Sequence, residues 1–306
     1  MSAGSAPRIL LLGADGQLGT ELRRSLAPLG AVTCATLSGE VAGRACERAD
    51  FSDPDSLPAL VERIAPDLVV NAAAHTAVDR AESERDLAWR INADAPGALA
   101  AACATRGAWL AHYSTDYVFD GRATRPYRED DPTAPLGVYG ASKLAGEDAV
   151  RASGGRHLIF RTAWVYAAHS HNFLRTMLRV GAERDTLRVV ADQVGTPTPA
   201  ALIADVTAHA LGRLPTHSGT WHLTPTGQTS WHGFAEAIFA GATARGLLAR
   251  APRVEPITTA EYPTPAARPP CSVLDTGKLR ETFGILLPTW QDGLAGVLDR
   301  LAEDAG

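Results

Sequence analysis

The 306-residue chain is predicted to be an α/β protein, a doubly wound parallel sheet with a smaller α+β substrate-binding lobe. Three observations predict this. Short apolar runs alternate with helical patterns through the first half, which implies βαβ units. A glycine-rich turn directly follows the first apolar run. Past about residue 170 the alternation gives way to proline-rich loops with scattered helices.

The first strand is read at Arg8–Leu12. Gly13-Ala-Asp-Gly16-Gln-Leu-Gly19 follows, then a helical pattern at Leu18, Leu22, Leu26 and Leu29. Strand, glycine turn and helix are the context of a dinucleotide phosphate site in a Rossmann-like sheet. Gly13 permits the tight turn, Gly16 lets backbone N–H groups approach a pyrophosphate, and Gly19 allows close helix packing. The spacing is G-x-x-G-x-x-G rather than G-x-G-x-x-G, so by itself the motif leaves a ligand-free loop open. Further strands are read at Ala31–Leu37, Asp67–Ala74, Ala108–Phe119 and His157–Tyr166, with helices at Ser56–Ile64, Glu84–Thr105 and Ala141–Ala152. Ligands in such sheets bind beyond the carboxyl ends of the strands. That rule brings the glycine turn, Asn71–Thr76, Tyr113–Tyr117 and Trp164 toward one crevice.

In the second half, Asp192–Pro199 reads as a loop before a helix at Ala200–Arg213. A strand at Gly219–Leu223 and helices at Trp231–Arg245 and Leu294–Glu303 lie among proline-rich segments. The expected division is a dinucleotide-binding domain over 1–170 and a substrate lobe over 171–306, with chain crossovers between them.

A net charge of −5 supplies no basic footprint, which argues against nucleic acid and anionic membrane as partners. No apolar segment approaches a membrane span, and the short polar N-terminus lacks the regions of a signal peptide, so a soluble cytoplasmic protein is expected. Cys34, Cys46, Cys103 and Cys271 are scattered without C-x-x-C pairing and read as reduced thiols. His169-Ser-His171 is too few ligands for a metal, so none is expected there.

Tyr139-Gly-Ala-Ser-Lys143 places a phenol and an ammonium four residues apart in a helical segment. They share one helix face. A nearby cation favours the phenolate, so Lys143 is expected to lower the Tyr139 pKa and make it an acid or base usable near neutral pH. Ser114-Thr115-Asp116-Tyr117, at the end of an apolar run, offers hydroxyls to a substrate oxygen.

The glycine turn, Asn71-Ala-Ala-Ala-His-Thr-Ala-Val-Asp79, Tyr113-Ser-Thr-Asp-Tyr-Val-Phe119 and Tyr139-x-x-x-Lys143 together resemble the extended short-chain dehydrogenases/reductases. Phe160-Arg-Thr-Ala-Trp-Val-Tyr166, Asn172-Phe173, Asp192-Gln-Val-Gly-Thr-Pro-Thr198 and Tyr262-Pro-Thr-Pro-Ala-Ala-Arg268-Pro269 extend the likeness to the branch that reduces dTDP-linked 4-keto sugars. The resemblance implies NADPH-dependent reduction of the C4 ketone of dTDP-6-deoxy-L-lyxo-4-hexulose. Tyr139 would be the general acid, Lys143 would lower its pKa and hold the nicotinamide ribose, and Thr115 would hydrogen-bond the ketone oxygen. Asp116 and Trp164 match substrate-contacting positions. Gly13, Gly16, Gln17, Leu18 and Gly19 would line the cofactor, as would Tyr139 and Lys143. Asp50 and Phe51 match an adenine-contacting pair, and Ala74, His75, Thr76 and Tyr113 complete the cofactor set. Tyr117 stays open between packed aromatic and site residue.

The second strand ends in Thr36-Leu-Ser-Gly39 without a carboxylate, and Arg44 follows. This leans to NADPH, with NADH usable. Some members of the family are magnesium-dependent through glutamates of two subunits. Glu21 matches one position, but Ala201 stands at the other, which puts that ion and that dimer mode in doubt and leaves a homodimer open. Two alternatives remain. One is an epimerase, dehydratase or other ketoreductase of the same fold; the epimerases and dehydratases usually read Thr-Gly-x-x-Gly-Phe-x-Gly at the first turn. The other is a noncatalytic regulatory homologue, which intact Thr115, Tyr139 and Lys143 argue against.

Overall fold

The structure, a computed structural model, describes residues 6–304. Its centre is a parallel sheet of seven strands, β1 (Arg8–Leu12), β2 (Ala31–Thr36), β3 (Glu47–Arg48), β4 (Leu68–Asn71), β5 (Trp109–Thr115), β6 (Arg156–Thr162) and β7 (Gly219–His222). They lie in the order β7-β6-β5-β4-β1-β2-β3, so the chain winds outward from β1 in both directions. β1 is apolar at every buried position because both its faces are covered. Ile9 and Leu11 face α1 (Gln17–Leu26) and its neighbours. Leu10 and Leu12 face the opposite core with Val61 of α2 (Leu57–Ile64) and Leu99 of α3 (Ala95–Arg106). Each fully buried leucine here stabilises the sheet by about 1.5–3 kcal/mol.

Strand ends explain most differences from the expected boundaries. β4 stops at Asn71, where its side-chain oxygen accepts the Ala73 N–H at 3.1 Å and turns the chain out of the sheet. β5 stops at Thr115, whose hydroxyl accepts the Tyr117 N–H and caps a short turn over Asp116–Val118. The expected His157–Tyr166 strand divides into β6 and a two-residue piece, Val165–Tyr166, that pairs with Thr198–Pro199. The helix expected over Glu84–Thr105 contains a π-turn at Arg90–Asp94.

α4 (Val138–Ala152) begins three residues earlier than the sequence suggested. Its first N–H groups have no partner inside the helix, and Glu82 Oε1 accepts that of Val138 at 2.8 Å. The second half crosses back to the sheet. β7 extends the edge beside β6, and α5 (Ala200–Gly212) lies against α1. The remainder forms a separate apolar cluster around Tyr166, Phe234 of α6 (Trp231–Ala244) and Leu298 of α7 (Trp290–Glu303).

Candidate active site

The glycine turn leaves β1 with Gly13 in the left-handed region, φ 71°. A Cβ on Gly13 would lie 2.7 Å from the Ala73 nitrogen, and one on Gly19 would run into the Gly13 carbonyl and lie 2.8 Å from Ala14 Cα. Both glycines are therefore required by packing. Gly16 is different, because its nearest neighbour would be the Gly13 oxygen at 3.4 Å, an ordinary contact. No side chain caps the N-terminus of α1 either. Open space before uncapped N–H groups suits a dinucleotide diphosphate, so these residues fit such a cofactor. Gln17 is tied to the second half: Asn172 Nδ2 donates to Gln17 Oε1 at 2.9 Å. Leu18 packs against the sheet core.

Other expected cofactor positions divide by atom. Asp50 accepts the Ser52 hydroxyl at 2.6 Å and backbone N–H at 3.0 Å. The Ser52 hydroxyl is the main reason its carboxyl sits below the usual range. The Phe51 ring is buried in the core beneath the sheet, and the Tyr113 phenol bonds Thr207 on α5 at 2.9 Å. Neither side chain lines the crevice, so only their backbone is available there. The Thr36 hydroxyl accepts the Gly39 and Glu40 N–H groups, both at 3.1 Å, which consumes it inside the turn. Arg44 stands exposed on a small hairpin beyond it.

Ala74, His75 and Thr76 follow β4 across the carboxyl end of the sheet. Asn92, fully buried in the π-turn, accepts the His75 N–H at 2.8 Å and donates to its carbonyl at 3.0 Å. The His75 ring meets Glu84 at 2.9 Å, which gives it a structural partner. Asn92 also donates to Ser142 on α4 at 3.1 Å. Asn92 and its wide turn were not foreseen; the one signal was an asparagine in an alanine-rich helical run.

Tyr139 and Lys143 project from the first two turns of α4, and Thr115 ends β5 beside them. Gly140 makes this approach possible, because a Cβ there would collide with the Tyr117 carbonyl. The Tyr117 ring stands edge-on to Tyr139, with centroids 5.6 Å apart, as a packed aromatic.

The expected effect of Lys143 on Tyr139 needs correction. The Lys143 ammonium is buried and donates to the Tyr113 carbonyl at 2.6 Å. Its charge does not bring the phenol below its ordinary value. Burial pushes Tyr139 up to about 12, a neighbouring Thr115 hydroxyl opposes this, and the Asp116 charge adds to it. Burial lowers Lys143 to about 8. Tyr139 is thus a neutral phenol in this structure, the form able to donate a proton.

Asp116 is buried beside Thr115, whose hydroxyl donates to Oδ1 at 2.9 Å. Burial raises its carboxyl to about 6, against the pull of the Ser272 and Thr115 hydroxyls. Trp164 has a left-handed backbone, φ 47°, uncommon for a bulky residue and frequent at binding sites. Its indole stacks on Trp231 with centroids 3.5 Å apart and planes 5° from parallel. Gly195 makes room, since a Cβ there would lie 2.6 Å from the Trp164 ring. Gln193 accepts the Trp231 N–H at 3.2 Å. Arg268 pairs in bidentate fashion with Asp79, at 2.9 and 2.8 Å, joining two of the segments noted in the sequence. Neither Trp231 nor the Asp79–Arg268 pair was anticipated.

Magnesium does not fit the Glu21 position. The Glu21 carboxylate is buried and receives Arg300 Nη1 at 2.8 Å and Arg24 Nε at 3.4 Å, while Ala201 offers no side-chain oxygen. Among the described residues no group of three His, Cys, Asp or Glu is arranged to hold a metal, and no helix is long and apolar enough to cross a membrane. A groove of about 940 Å³ between α4 and the 277–283 helix has walls of mixed charge, and none of Thr115, Tyr139 and Lys143 lines it.

The RmlD substrate binding domain family matches residues 7–303. The chain is 51% identical to dTDP-4-dehydrorhamnose reductase of Burkholderia thailandensis over 295 residues, covering 93% of this chain and 95% of that protein. It is 46% identical to dTDP-4-dehydrorhamnose reductase of Escherichia coli K12 over 297 residues, covering 96% and 97%. Among solved structures, dTDP-4-dehydrorhamnose reductase of Bacillus anthracis in complex with NADP superposes with a TM-score of 0.87 at 35% identity, covering 96% of this chain and 99% of that one.

Proposed function

The chain belongs to the RmlD family, and from that premise we propose that it is an NADPH-dependent ketoreductase that converts dTDP-4-dehydrorhamnose to dTDP-L-rhamnose. The observation that carries this reading is the convergence of Thr115, Tyr139 and Lys143 at the same carboxyl edge of the sheet as the open glycine turn, in a chain about half identical to reductases so named.

Bound NADPH supplies the hydride. The chain's own residues do the rest. Gly16 and the α1 N-terminus hold the diphosphate, and the backbone over residues 74–76 flanks the dinucleotide. Tyr139, a neutral phenol, gives its proton to the C4 oxygen as negative charge develops there, and Lys143 holds the nicotinamide ribose. Thr115 orients the same oxygen. Trp164 and Trp231 present an indole stack to the sugar nucleotide. Use of NADH as a second donor is consistent with the exposed, carboxylate-free end of β2.

Tyr139→Phe tests the assignment. It removes one oxygen from a helix whose cap and packing stay in place. NADPH affinity is expected to stay within about twofold, while kcat falls by about 10²–10⁴. Turnover within a few-fold of the parent would reject Tyr139 as the acid.

A further inference from the structure

Two carboxylates lie buried near the reaction centre, and only one has a cation. Glu147 is held by Arg161 at 2.8 and 2.7 Å and by Arg151 at 3.1 Å. Asp116 is 1% exposed, meets no arginine or lysine, and its Oδ2 has no partner within hydrogen-bond distance, the Ser272 hydroxyl acting on the carboxyl from farther off. An ionised carboxylate in that position is costly, and taking up a proton relieves the cost.

The Thr115 hydroxyl has a single hydrogen. With Asp116 ionised, that hydrogen goes to Oδ1 at 2.9 Å, while the Tyr117 N–H donates to the Thr115 oxygen at 3.2 Å. Thr115 then has no hydrogen left for a ketone. With Asp116 protonated, the carboxyl O–H donates to Thr115, and the threonine hydrogen is free to turn toward Tyr139 and the substrate.

We propose that Asp116 is a positioning residue that enters the reaction as a neutral acid and sets the Thr115 hydroxyl to donate to the ketone oxygen. Asp116 keeps its proton throughout, and Tyr139 alone supplies the one that ends on C4–O. The groups facing Asp116 are Thr115 and Tyr117 from its own turn, Tyr139 from α4 and Ser272 from the second half. Arg268 lies beyond Tyr117 and is neutralised by Asp79. Burial raises the Asp116 carboxyl to about 6 in the free protein.

This inference rests on the ketoreductase reading, and two measurements keep them apart. The first is kcat against pH for the parent, Asp116→Asn, Thr115→Val and the double variant. Parent kcat should fall about tenfold for each pH unit above the Asp116 ionisation. The amide of Asp116→Asn can donate to Thr115 at every pH, so that limb should vanish, and in Thr115→Val the second substitution should change the profile little. An unchanged limb in Asp116→Asn, or an effect on KM alone, overturns the proposal. The second is infrared spectroscopy of the free proteins. At pH 5.5 the parent should show a protonated-carboxyl band that Asp116→Asn lacks and that fades toward pH 8; no such band overturns the proposal. If the band is present but the parent reduces no dTDP-linked ketone at any pH, the functional reading fails instead.

Discussion

Buried charge at the reaction centre has opposite consequences for Glu147 and Asp116. Burial alone would raise the Glu147 carboxyl, but the Arg161 and Arg151 guanidiniums hold it below its ordinary value. Its contribution is therefore present above the unfolded pKa and lost as pH falls through the folded one. Asp116 has the opposite sign. Its carboxyl rises from 3.8 to about 6 on folding, so between those values the native chain binds more protons than the unfolded one. Native stability from this group is full below about pH 4 and declines as pH rises through about 6, by about 3 kcal/mol in all. Denaturant unfolding of the parent and Asp116→Asn at pH 4 and pH 8 checks this. The variant should gain on the parent by that order between the two pH values; a pH-independent difference would mean that the carboxyl is ionised without cost. At this scale the sequence revealed which residues converge but not their protonation. Tyr139 and Lys143 were legible as neighbours on one helix face, whereas the turn of Lys143 toward the Tyr113 carbonyl depends on strand β5, brought in from far along the chain.

Glycine turn, π-turn and capped helix are the elements that aim those side chains. Gly19 is enforced by the protein and Gly16 is not, which separates two substitutions the motif alone would treat alike. Gly19→Ala drives a methyl into the Gly13 carbonyl and should cost about 1–3 kcal/mol of stability. Gly16→Ala should leave the melting temperature nearly unchanged while weakening NADPH binding, because its methyl fills the cofactor's approach. Thermal melts with NADPH titration read both, and equal stability losses would reject this division of labour. The alternating strands and helices of the first half were legible because period and turn chemistry are local. The π-turn was not, because Asn92 is paired by His75 and Ser142 from distant segments. The first turn of α4 was missed for a similar reason, since its cap is the Glu82 carboxylate from another helix.

Across the whole molecule, the two halves are interleaved rather than joined end to end. β7 and α5 return to the sheet, and polar links run between the halves, among them Asn172 to Gln17, Arg300 to Glu21, and Arg268 to Asp79. The partners in these links could not be read from spacing, because each joins residues more than 150 positions apart. The Glu21–Arg300 pair also gives that buried carboxylate an internal counter-ion. The central claim, one hydride and one proton delivered to a dTDP-linked ketone, is tested most directly by a coupled assay. dTDP-glucose is converted by a 4,6-dehydratase and a 3,5-epimerase, the purified protein and NADPH are added, and the product is identified by NMR. The account predicts one NADPH oxidised per sugar and dTDP-L-rhamnose as product. A protein that binds NADPH yet leaves the 4-keto sugar unreduced, or that yields the C4 epimer, would contradict it.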